Sequence, residues 1–142
     1  MGFWDASPFG NDDAADFALG LDDANSEARI EMVGAVLERV ATSSLTDDLS
    51  PIDAPRAVAA AALVAAQCPG GKPVPSPHGP TAPTPDFPAD YRRLALRALD
   101  RLVTEPSWMT AGWKDGGAAW RRTISDLRRV LDPPQAETLF EM

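Results

Sequence analysis

The stretch Asp53-Ala54-Pro55-Arg56-Ala57-Val58-Ala59-Ala60-Ala61-Ala62-Leu63-Val64-Ala65-Ala66 contains no glycine and carries its one proline near the start. Alanine leads the helix propensities because its side chain has no rotamer freedom to lose. A proline in the first turn is tolerated, since the N–H it lacks has no intrahelical acceptor there. The pattern predicts a helix with Asp53 as its cap, stopped by Pro69-Gly70-Gly71. So many alanines favour close approach by neighbouring helices over a bulky core stripe. The apolar run from Ala57 to Ala66 is ten residues, short of the roughly 18 that a bilayer span requires.

Helical signals extend on both sides of this stretch. Asn11 reads as an N-cap with Asp12 and Asp13 in the first turn, facing the positive end of the helix dipole, and the helix runs to about Leu21. Asn25 or Ser26 caps a second helix, in which Ile30, Val33, Leu37 and Val40 form an amphipathic stripe. Residues 42–52 read as a polar connection. Beyond the alanine-rich helix, a fourth is expected from near Pro88 to about Val103, with Tyr91, Leu94, Ala95, Ala98, Leu99 and Leu102 inward. Ser107 is a candidate cap for a short turn carrying Trp108 and Trp113, punctuated by Asp115-Gly116-Gly117. The last helix, roughly Ala118 to Leu131, places Trp120, Ile124, Leu127 and Leu131 on one face and stops before Pro133-Pro134.

No stretch alternates apolar and polar residues long enough to form a strand. The expectation is an all-α, single-domain bundle of about five helices over residues 1–142. An aromatic N-terminal arm (Phe3, Trp4, Phe9) would be pinned to it. Eight of the twenty residues from Pro69 to Pro88 are proline, which predicts a stiff, partly polyproline II surface loop or insert within the domain.

At 142 residues and 15.1 kDa, the chain can bury a core without covalent staples. One cysteine, Cys68, excludes an internal disulfide or a cysteine-based zinc cluster, and one histidine, His78, excludes a multi-histidine metal site. Cys68 and His78 lack a third orienting residue, and Gly70-Gly71-Lys72 lacks phosphate-loop spacing. No cofactor is therefore expected. The net charge is −8, which opposes binding to nucleic-acid phosphates. The opening Met1-Gly2-Phe3-Trp4-Asp5 has neither the basic start nor the apolar run of a signal peptide. A cytoplasmic protein with no membrane partner is expected.

Charge is unevenly distributed. Residues 1–50 hold eleven acidic and two basic residues, whereas residues 51–142 hold ten and eleven, nine of the latter arginine. The two parts could neutralise each other within one fold. Alternatively, the acidic part stays free for a basic partner, where charge sets encounter rate and specificity. Asp12, Asp13 and Asp16 could present carboxylates to a hard cation such as magnesium; the plainer alternative is helix-start stabilisation. The candidate partner-binding set is Trp4, Asn11, Asp12, Asp13, Asp16, Asp22, Asp23 and Trp113.

The opening Met1-Gly2-Phe3-Trp4, followed by Pro8-Phe9-Gly10-Asn11-Asp12-Asp13-Ala14-Ala15-Asp16-Phe17, resembles the start of the bacterial family known as domain of unknown function 4259. The alanine-rich third helix, and Trp120 ahead of Asp126-Leu127-Arg128, are also similar to it. The resemblance implies a small, mainly helical bacterial protein and carries over no activity, cofactor or catalytic residue. The leading functional expectation is a non-enzymatic acidic helical protein that binds a basic protein partner, in the manner of an immunity protein or antitoxin. The alternative is a small metal-dependent enzyme or ligand-binding protein built on the Asn11–Asp16 carboxylates. Oligomeric state is left open.

Overall fold

The computed structural model describes residues 8–43, 53–68, 85–104 and 118–132. Within them lie five helices and no strand: α1 (Asp12–Asp23), α2 (Ser26–Ala41), α3 (Asp53–Ala66), α4 (Tyr91–Thr104) and α5 (Ala118–Leu131). The all-α expectation holds. Phe3, Trp4, His78, Ser107, Trp108, Trp113, residues 69–84 and Pro133-Pro134 fall outside the described residues.

Helix α3 is the centre of the bundle and packs against all four others. Every residue from Ala57 to Ala65 is buried, so the burial covers the full circumference of the helix rather than a stripe. Small side chains make this feasible, because helix axes separate by only 8–10 Å according to what lies between them. Alanine also loses no side-chain entropy on burial. The sequence implied close approach; the structure adds that it occurs on all sides.

Hydrogen bonds fix how the helices run. Tyr91, the first residue of α4, donates from its hydroxyl to the Ile30 carbonyl near the start of α2, at 2.9 Å. Near the other end of α4, Arg101 Nε donates to the Ser43 carbonyl just past α2, at 3.4 Å. Helices α2 and α4 are therefore parallel. Arg39, late in α2, meets Asp53 at the start of α3, making those two antiparallel. Arg92 Nε, early in α4, donates to the Leu131 carbonyl at the end of α5, and Arg128 pairs with Asp100, so α4 and α5 are antiparallel. At the foot of α3, Gln67 Nε2 donates to the Pro85 carbonyl and its Oε1 accepts from the Phe87 N–H. This clamp delivers the chain to α4.

Several expectations need correction. Helix α1 continues two residues past Leu21, and α4 begins at Tyr91 rather than near Pro88. Asp53 is the first residue of α3, and its carboxylate accepts from Arg39 Nε and Nη2, both at 3.3 Å. Tyr91, Leu94 and Leu127 are half-buried, while Trp120, Ile124 and Leu131 are fully enclosed. Arg101, one of the nine arginines of residues 51–142, is 6% exposed. The end of the aromatic arm does reach the core, with Phe9 completely buried.

Candidate functional site

Helix α1 has two unlike sides. Ala14, Phe17, Ala18 and Leu21 are buried, and Arg56 of α3 reinforces the seating by donating from Nε to the Asp13 carbonyl at 3.3 Å. Asp12, Asp16, Leu19 and Asp23 are all exposed. Their spacing of four, three and four residues aligns them along one outward stripe. Leu19 is 64% exposed, the most exposed large hydrophobic residue of the described chain. Asp12, Asp16 and Asp23 enter no ion pair among the described residues, whereas Arg39 pairs with Asp53, Arg128 with Asp100 and Arg129 with Asp126.

The ends of this helix are well anchored. Asn11 has extended backbone (φ −156°, ψ 162°), and its Oδ1 accepts from the Ala14 N–H at 2.8 Å. It is only 1% exposed, so Asn11 is a buried cap and leaves the set of residues a partner could touch. At the other end, Arg29 Nε donates to the Leu21 carbonyl at 2.7 Å and Nη2 to the Asp22 carbonyl at 3.5 Å. A cation there sits at the negative end of the dipole, and the Leu21 carbonyl it meets also accepts from the Ala24 N–H at 3.1 Å.

The remaining acids differ in surroundings. Asp13 is half-buried, and burial raises its carboxyl above the ordinary value of 3.8; the nearby Arg56 opposes the rise, while Asp16 and Asp12 add to it. Asp22 is half-buried as well. Among the described residues no group of three His, Cys, Asp or Glu side chains is arranged to hold a metal ion. Asp12, Asp13 and Asp16 are therefore not gathered into a coordination set. Cys68 is half-buried with its Sγ 3.5 Å from the Val64 carbonyl, four residues earlier, a packing role. Trp4 and Trp113, the aromatic members of the candidate set, lie outside the described residues.

A second feature was missed in the sequence. An open groove of about 560 Å³ runs along the surface where α2 and α4 pack together. The Tyr91 ring lies in it, stacked on Phe87 with centroids 5.8 Å apart. Gly34 of α2 is buried beneath that ring, and a Cβ at position 34 would overlap the Tyr91 phenol. The available signal was a lone glycine inside a helical pattern, which commonly marks close approach by another group.

No helix among the described residues is long and apolar enough to cross a membrane. No curated protein and no solved structure matches the chain. A family model described as Domain of unknown function (DUF4259) matches residues 2–123, which include α1 to α4, the acidic stripe and both walls of the groove. With most of its length covered by that model, the chain belongs to the DUF4259 family.

Proposed function

We propose that the protein acts by binding another protein, basic in character, through the outer stripe of α1. The observation that supports this reading is the alignment of Asp12, Asp16 and Asp23 around exposed Leu19, with none of the three carboxylates in an ion pair among the described residues. Carboxylates left free at a surface accelerate encounter with a cationic partner and select against an anionic one. A central apolar side chain within a charged rim resembles the usual division of an interface into core and rim. One concrete form is an inhibitor of the immunity or antitoxin kind, covering a basic effector surface. The reading places this action in the cytoplasm, where the free thiol of Cys68 is at home.

The test is a charge reversal, Asp12→Lys with Asp16→Lys and Asp23→Lys, on a tagged chain used to capture partners from lysate of the native host. Wild type is expected to retain a basic protein at low salt and lose most of it at moderate salt, as screening shortens the range of attraction. The reversed variant, still helical by circular dichroism, is expected to retain none. Equal capture by both proteins would refute the reading.

A further inference from the structure

The groove between α2 and α4 carries charge of both signs, unevenly distributed along its length. Glu31, Ala35 and Glu38 stand on the α2 wall, and Asp90, Arg93 and Arg97 on the α4 side. All six are exposed. The five charged side chains form no ion pair or hydrogen bond among the described residues. Contacts between the parallel helices join residues 61 and 58 apart in sequence. At such offsets Glu31 comes level with Asp90, and Glu38 level with Arg97. One end of the groove thus presents two facing carboxylates, while the other presents Arg93 and Arg97 beside a single carboxylate. Arg93 and Arg97 lie three and seven residues beyond Asp90, so their midpoint stands about 7.5 Å along the helix from the carboxylate pair.

The floor between these ends is rigid. Tyr91 is held by its hydrogen bond to Ile30, by Phe87 and by the absence of a side chain on Gly34. Burial first, and then the Asp90, Glu31 and Glu38 charges, raise the Tyr91 phenol above its ordinary value of 10.0. The phenol therefore stays neutral at physiological pH and offers a flat apolar surface under a ligand.

We propose that this groove binds a peptide segment of a partner protein carrying a guanidinium or ammonium group and a carboxylate about 7–8 Å apart. The cation lies between Glu31 and Asp90, and the anion against Arg93 and Arg97. Charge complementarity selects this occupant, because a wholly cationic segment would face the arginines and a wholly anionic one the carboxylate pair. The surface is separate from the α1 stripe, so neither reading depends on the other.

Tyr91 is the only tyrosine, so ring-labelled tyrosine gives a single NMR reporter in the groove. The probe is the peptide acetyl-Arg-Gly-Glu-amide, whose two charged side chains project to the same face roughly 7 Å apart when extended. It is titrated beside versions with Gln in place of Arg or of Glu. A saturable shift of the Tyr91 ring signals is expected for the doubly charged peptide, with affinity at least about tenfold lower for either singly charged one. The Glu31→Gln, Asp90→Asn double variant is expected to reduce that preference, while the α1 charge-reversed protein binds the peptide normally. No saturable shift, equal affinity for all three peptides, or an unchanged double variant would each overturn the proposal.

Discussion

Helices α1 and α3 touch each other and have similar lengths, yet they answer to different constraints. Helix α3 meets protein on every side, and its sequence is mostly alanine because four neighbours must approach it. Among the described residues, helix α1 meets protein on one side only. Its outer residues carry no packing duty, so Asp12, Asp16, Leu19 and Asp23 contribute little to holding the fold together. Residues without a structural task are free to be set by solubility or recognition, and a leucine amid three carboxylates serves solubility poorly. The comparison separates the part of the chain that specifies the bundle from the part that can address a partner.

The largest expected effect comes from one chemical change made in both helices. Leu63 in α3 is 6% exposed, whereas Leu19 in α1 is 64% exposed. Leu63→Ala removes buried methyl groups and leaves a cavity, at a cost of about 2–5 kcal/mol. Leu19→Ala removes atoms that already meet water, and is expected to stay within about 0.5 kcal/mol of wild type. Urea unfolding of the two variants measures both. Comparable losses would show that Leu19 packs against the fold and would remove it from the proposed partner surface.

How much of this contrast can be read from sequence follows from the range of each interaction. The existence of all five helices, the Asn11 and Asn25 caps and the buried stripe of α5 rest on neighbours within four positions, which periodicity reports directly. The all-round burial of α3 was less legible. Alanine suits a surface helix as well as a central one, and only the number of surrounding helices decides between them. The burial of Arg101 and the ion pair of Asp53 were not legible because their partners, Ser43 and Arg39, are distant in sequence. The same is true of the groove, whose charges come together only through the parallel register of α2 and α4. In the candidate partner set, the sequence located the acidic helix but could not distinguish buried Asn11 from exposed Asp12 beside it.

That neighbouring pair provides a smaller test. Asn11→Ala removes the acceptor for the Ala14 N–H inside the structure and should destabilise by about 1 kcal/mol, within a usual range of 0.5–2 for lost caps. Partner capture should change only through that loss of stability. Asn25→Ala removes the equivalent bond to the Ala28 N–H in an exposed setting, where water can replace the lost acceptor, so a smaller loss is expected. Equal losses in urea would mean that burial adds nothing at the start of α1.

The smallest effect concerns Asp13, where the two sides of α1 meet. Its position in the first turn favours ionisation through the helix dipole, while burial against α3 disfavours it, and the net direction is upward from 3.8. The folded protein consequently holds the Asp13 proton more tightly than the unfolded chain does. Any stability this provides is fully present below about pH 3.8 and is lost as pH rises through the raised folded value. Asp13→Asn has no such titration. Its melting temperature, taken relative to wild type, should therefore be higher at pH 7 than at pH 3, by an amount limited by the partial solvent exposure of the group. A relative melting temperature that falls over the same interval would mean that the dipole and Arg56 outweigh burial. The boundary between the packed and the free side of α1 would then lie inward of Asp13, and this carboxylate would join Asp12, Asp16 and Asp23 as a charge available to a partner.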